Sequence, residues 1–143
     1  MKAIRMLFAI ALLLGVASVY SQAENVAFLN VSIPFNFTVD NQKLPAGNYT
    51  LSHSELNPQS VIWLQSADGQ HIAVFRTHQA FMLTPSANAE LIFQRSGSEY
   101  FLSRIWTLGQ TSGREVVVPN RVKEMTKEVS PGDGATIVTG DGF

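Results

Sequence analysis

The chain contains no cysteine. That absence excludes disulfides, thiolate catalysis and cysteine-ligated metal. It also excludes the lipid-bearing cysteine by which a bacterial lipoprotein is anchored. A basic surplus is missing too, since 10 Lys and Arg stand against 11 Asp and Glu. No positive field exists to attract nucleic acid or anionic lipid. There is no GxGxxG, no P-loop, no HExxH and no Gly-x-Ser-x-Gly nucleophile elbow. No residue pattern asks for a cofactor or a metal, and none is expected.

What is present, first, is a targeting pattern. Lys2 and Arg5 form a positive n-region, and Met6 to Val16 form an apolar h-region. Ser21-Gln22-Ala23 then supplies small residues at the −3 and −1 positions of a cleavage site. Residues 1–23 read as a secretory signal peptide cleaved after Ala23. The apolar run is shorter than the ~20 residues a membrane span needs. No stable membrane insertion is therefore expected once it is removed. Cleavage takes the basic count from 10 to 8 against 11 acidic groups, a net charge of −3. The remainder is one domain, large enough to bury roughly two-thirds of its unfolded surface without staples. Periplasmic or extracellular bacterial localisation fits an exported chain that uses no disulfides.

The stretch from Val31 to Leu51 organises the rest. Val31, Ile33, Phe35, Phe37 and Val39 alternate with polar residues, the period of a half-buried strand. Pro34 suits an edge or a bulge in that strand. Asp40 to Gly47 reads as a connection, with Leu44-Pro45-Ala46-Gly47 its turn. A second strand follows from Asn48 to about Ser54. Three Asn-x-Ser/Thr sequons, at Asn30, Asn36 and Asn48, read as the polar faces of these strands.

The clearest hairpin comes next. Val61 to Ala67 leads into Asp68-Gly69, a type I′ signal, and the chain returns through Gln70 to Arg76. A two-residue turn there sets Ile62 opposite Phe75, Trp63 opposite Val74 and Leu64 opposite Ala73. Both faces are apolar, so the hairpin is expected to be covered on both sides.

A fifth strand is expected over Glu90 to Arg95, and a sixth over Tyr100 to Leu108, joined at Gly97-Ser98. The same register arithmetic puts Leu91, Phe93, Tyr100, Leu102 and Trp106 on one face, with Arg95 and Arg104 near its ends. Arg114 to Val118 is a short seventh strand. Pro119 to Val129 reads as an amphipathic helix, with Val122, Met125 and Val129 at i, i+3 and i+7. Residues 130–143 read as a flexible Gly/Asp-rich tail, with one short strand available at Thr136-Ile137-Val138.

Ile33-Pro34-Phe35-x-Phe37-x-Val39 and Leu44-Pro45-Ala46-Gly47-x-Tyr49-x-Leu51 resemble a pattern of small exported soil-bacterial proteins, IPFxFxV…LPAGxYxV. The resemblance continues through Ser66-Ala67-Asp68-Gly69, Phe93-x-Arg95-x-Gly97 and Tyr100-Phe101-Leu102-x-x-Ile105-Trp106. It covers roughly residues 31–128 and implies export and an all-β fold, with no assigned activity.

The side chains that could carry chemistry are few. His71 and His78 are seven apart and point to opposite faces of a strand, unsuited to sharing a metal. His53 could share a face with Glu55 where a strand is ending. Gly132-Asp133-Gly134 and Gly140-Asp141-Gly142 lack the nonapeptide or EF-hand context of calcium loops. No acidic pair is spaced for glycosidase work. What remains is an aromatic and arginine face, and the candidate ligand-binding residues are Trp63, Tyr100, Trp106, Arg95 and Arg104.

The expected fold is a single antiparallel β-sandwich or flattened barrel of about seven strands, over residues 24–129, with a short C-terminal amphipathic helix. The expected function is a non-enzymatic binding or structural module of the periplasm or cell surface. Its partner would be a polysaccharide or a cell-surface protein. The alternatives are a small outer-membrane barrel, since alternating strands can also face lipid, and a hydrolase built around His53, Glu55 and His78.

Overall fold

The structure is a computed structural model that describes residues 25–120, 123 and 135–142. The expected signal peptide lies outside the described residues. The strands are β1 (Val26–Ile33), β2 (Phe37–Val39), β3 (Gln42–Leu44), β4 (Gly47–His53), β5 (Val61–Ser66), β6 (Ile72–Phe81), β7 (Ala89–Ser96), β8 (Glu99–Trp106), β9 (Ser112–Val116) and β10 (Ala135–Gly142). Eight of them follow the order β8-β7-β10-β1-β4-β5-β6-β9, and β9 returns to pair with β8. Every pairing in that ring is antiparallel. The sheet therefore closes on itself as an eight-stranded barrel, which removes its edges. A seven-strand sandwich is not borne out.

Alternation decides which side chains fill the barrel. Leu29, Val31 and Ile33 of β1 point inward with Leu51, Ile62, Leu64, Phe75, Leu91, Phe93, Leu102 and Ile105, all in one core cluster. Asn30, Ser32, Asn48, Gln65 and Arg76 fall between them and are exposed. An eight-stranded barrel is just wide enough for inward side chains to fill it. Here they do so over most of its length.

The first expected strand is two elements. β1 ends at Ile33, before Pro34, and the chain resumes pairing at Phe37. β2 and β3 form a hairpin with Val39 opposite Gln42. Asp40 and Asn41, at φ 45 and 66, make the two-residue turn with both residues left-handed that type I′ requires. β2 also pairs in parallel with β8 at Thr38–Phe101. β9 uses β8 only from Arg104 to Trp106. The β2–β3 hairpin thus occupies the stretch of β8 that β9 leaves free. Its Phe37, Val39 and Leu44 join the core and plug that end of the barrel.

The β5–β6 register is the expected one, with Ile62 opposite Phe75, Trp63 opposite Val74 and Leu64 opposite Ala73. Its turn is not type I′. Only Gly69 has positive φ, and the loop is four residues long, Ala67 to Gln70. The Asp68 carboxylate accepts from the Ser66 hydroxyl at 2.5 Å and the Gln70 N–H at 3.0 Å. That loop is centred on the same bond as the expected turn, so the register survives. The outer face of this hairpin is not covered as expected: Ile72 and Val74 keep 43% and 44% of their surface in solvent.

Two further expectations are corrected. In β7–β8, Phe93 faces Leu102 but Leu91 faces Ile105, because a bulge at Ser103 shifts the register. The Ser103 hydroxyl donates to the Ile92 carbonyl across it, at 3.1 Å. One inserted residue turns every later side chain to the other face, so Trp106 and Arg104 part from Leu91 and Phe93. The second correction is at the C-terminal end. Residues 135–142, read as flexible tail, form β10 between β7 and β1, with six Cα pairs to the first and three to the second. Among the described residues no helix is an element of the fold. The expected helix over 119–129 lies largely outside them and is not borne out.

Candidate binding site at the open end of the barrel

Strand direction assigns every loop to one of two ends. β1 begins, and β4, β6 and β8 finish, at the end opposite the β2–β3 plug. There the inward positions change from apolar to polar. On β6 the inward Phe75 gives way to Thr77 and then to Gln79, which pairs with Arg114 of β9. On β4 the inward series Tyr49, Leu51 ends at His53. An open cavity of about 480 Å³ results, lined by Phe28, His53, Gln79, Ile105, Thr107, Arg114 and their neighbours. Its size lies in the usual range for a small-molecule site.

His53 is the least satisfied group in it. Its ring stacks on Phe28, with centroids 4.1 Å apart and planes 18° apart. Its Nδ1 is buried and has no hydrogen-bond partner. Burial lowers its pKa from the ordinary histidine value, the Arg114 guanidinium lowers it further, and the Pro58 carbonyl opposes both. The imidazole is therefore neutral near pH 7. A neutral imidazole has one N–H and one acceptor nitrogen, and with the Pro58 carbonyl beside the ring we assign the tautomer that leaves Nδ1 as the acceptor.

Arg114 supplies the opposite capacity. It points into the same mouth and donates to the Gln59 carbonyl, with the Gln59 Oε1 at 3.4 Å. That contact ties β9 to the loop between β4 and β5. The ion pairs among the described residues are Lys43–Glu99 and Arg104–Glu115, so no described carboxylate neutralises Arg114. One aromatic face, an acceptor and a fork of donors share the cavity.

The residues expected to bind ligand do not meet. Trp63 is on the outer wall, between Ser52 and Val74. Tyr100 is at the plugged end, stacked on Phe35 at 4.0 Å, and Arg95 lies 5.9 Å from its ring centre. Arg95 also donates to the Gly97 carbonyl at 2.9 Å. Arg104 is exposed on the outer wall, 4.0 Å from Glu115. Trp106 comes nearest, buried outside the main core and laid over Gly113, where a Cβ would sit 2.3 Å from its Cε3. His71 is in the turn at the plugged end, and His78 faces outward beside Glu115. Among the described residues no three His, Asp or Glu gather as metal ligands.

Phe28, Gln79 and Arg114 had no motif to announce them. A period-2 count would have found the last two, as polar residues in the inward series of β6 and β9. What the fold and site define is a closed β-barrel with a polar-lined cavity at one mouth. No protein-family profile, curated protein or solved structure matches the chain.

Proposed function

We propose that the protein is an exported, non-enzymatic binding barrel whose open mouth takes a compact hydroxyl-bearing ring, such as one unit of a polysaccharide. The observation that carries this is the buried, unpartnered Nδ1 of His53 beside Arg114, which no described carboxylate neutralises. A sugar hydroxyl donates to the first and accepts from the second, and its apolar face suits an aromatic wall such as Phe28. The core below is packed, so a long chain has no room. Export rests on the n-region, h-region and Ala23 pattern.

The outer-membrane alternative is the less well supported. Here apolar side chains fill the barrel and polar ones coat it, the reverse of a lipid-facing wall. A hydrolase would need His53, Glu55 and His78 together. Glu55 is on an exposed loop and His78 on the outer wall.

The test is a titration of residues 24–143 with a panel of soluble glycans, read by tryptophan fluorescence. Trp106 lies against Gly113, which borders the cavity. A saturable signal is expected that Arg114→Ala abolishes and Trp63→Phe retains. A signal that survives Arg114→Ala, or no response across the panel, overturns the proposal.

A further inference from the structure

The cavity is ringed by apolar side chains that no described residue covers. The five most exposed large hydrophobic residues are Leu83 at 102%, Leu56 at 94%, Phe81 at 72%, Val26 at 63% and Leu108 at 62%. All five belong to the open end. Val26 starts β1, Leu56 is in the loop after β4, Phe81 and Leu83 follow one another out of β6, and Leu108 follows β8. The other three exposed hydrophobics, Ile72, Val74 and Ile137, lie on the outer wall and are each less exposed. Single exposed hydrophobics are ordinary on a soluble protein, but a set confined to one end marks an interaction surface.

Charge separates the ends in the same sense. The three loops of the open rim, 54–60, 82–88 and 107–111, carry one charged side chain, Glu55. The plugged end carries Asp40, Lys43, Asp68, Arg95 and Glu99. The apolar run Met6–Val16 leads into β1 at the open rim.

We propose that the open rim is a lipid-docking surface, and that Val26, Leu56, Phe81, Leu83 and Leu108 enter the headgroup region of a bilayer. Side chains on separate projecting loops suit a deformable lipid surface better than a rigid protein face. Burying only side-chain tips gives reversible attachment rather than insertion. With no basic cluster on the rim, attachment does not depend on anionic lipid or on low salt. Docking stands apart from the ligand proposed above and does not require it.

The experiment is flotation of residues 24–143 with phosphatidylcholine vesicles, with and without phosphatidylglycerol, at low and high salt. The protein is expected to float under all four conditions. Leu83→Asp and Leu56→Asp should each lower the bound fraction about tenfold or more, as expected for losing one buried Leu. Ile137→Asp, on the wall, should leave it unchanged. Thermal melts check that each variant stays folded. Failure of the wild type to float overturns the proposal. So does flotation that survives both rim variants, or that needs phosphatidylglycerol. Sedimentation supplies a further arm: a dimer that Leu83→Asp dissociates would make the occupant a second copy, not lipid. Arg114→Ala should float normally, which separates failure of docking from failure of the ligand site.

Discussion

The two ends of the barrel are made from the same eight strands and are finished in opposite ways. At the plugged end the β2–β3 hairpin folds under the barrel, and Phe35, Phe37, Tyr49, Phe93 and Tyr100 pack ring against ring. Phe93 meets Phe35 edge-on at 5.0 Å and Phe37 at 5.5 Å. The Tyr49 hydroxyl donates to the Pro45 carbonyl at 2.5 Å, which holds the turn into β4. At the open end the core simply stops. His53 is left without a partner at Nδ1, the cavity begins, and the loops expose leucine. Satisfied contacts accumulate at one end and unsatisfied ones at the other, which is how a small barrel can be stable and still offer a site.

The strongest way to break this comparison is to remove a ring from the plug. Phe93 is fully buried. Phe93→Ala should cost ~3–5 kcal/mol, read from the urea midpoint. At the rim, Leu83→Ala should change stability by no more than about 0.5 kcal/mol. A Phe93→Ala cost near that of Leu83→Ala would show that the aromatic cluster does not hold the barrel together.

The packed interior was the legible part of the sequence. Strict alternation in Val31–Val39 identifies its buried face, and the Ile62–Phe75 register follows from chain length across the Asp68-Gly69 turn. Three features escaped, each for a local reason. Asp40-Asn41 carries no glycine, so a left-handed pair did not announce itself, and the β2–β3 hairpin read as a plain connection. The bulge at Ser103 leaves no mark in periodicity, and it moved Trp106 and Arg104 to the other face. β10 reads Ala-Thr-Ile-Val-Thr-Gly-Asp-Gly, a run whose glycines signal a loop. Gly140 is there because a Cβ would come within 2.5 Å of the Asn30 carbonyl. Without β10 the ring does not close, so counting residues 130–143 as tail left sandwich and flattened barrel undivided. The site was the least legible, since it comes from polar residues on three strands that only closure brings together.

A finer probe concerns the one stiff point at the open end. A Cβ at Gly113 would lie 2.3 Å from Trp106 Cε3 and 2.6 Å from the Ile105 carbonyl, so the indole or the strand must move. Gly113→Ala should cost ~1–3 kcal/mol and change the near-UV circular dichroism of Trp106. At Gly142, also at this end, a Cβ meets nothing nearer than 3.9 Å. Gly142→Ala should stay within about 0.5 kcal/mol of wild type. Equal effects would mean that Trp106 is not seated as described.

The smallest effect separates the two ends by pH. His53 at the open end has a lowered pKa, first from burial and then from Arg114. The unfolded chain therefore takes up its proton before the folded one does, and stability falls as pH drops from about 6.5 towards the folded value. Asp68 in the turn at the plugged end is also held low, first by the Ser66 hydroxyl and then by the Gln70 N–H. Its contribution is present above the carboxylate range and is lost only as pH falls below 3.8 through its folded value. The two windows do not overlap. Chemical denaturation across pH should show the upper step vanish in His53→Gln and shrink in Arg114→Ala, where burial remains but the neighbouring charge is gone. Asp68→Asn should leave that upper step intact and reduce the lower one. If His53→Gln keeps the upper step, the imidazole is not neutral in the folded state, and the acceptor assigned to Nδ1 is lost with it.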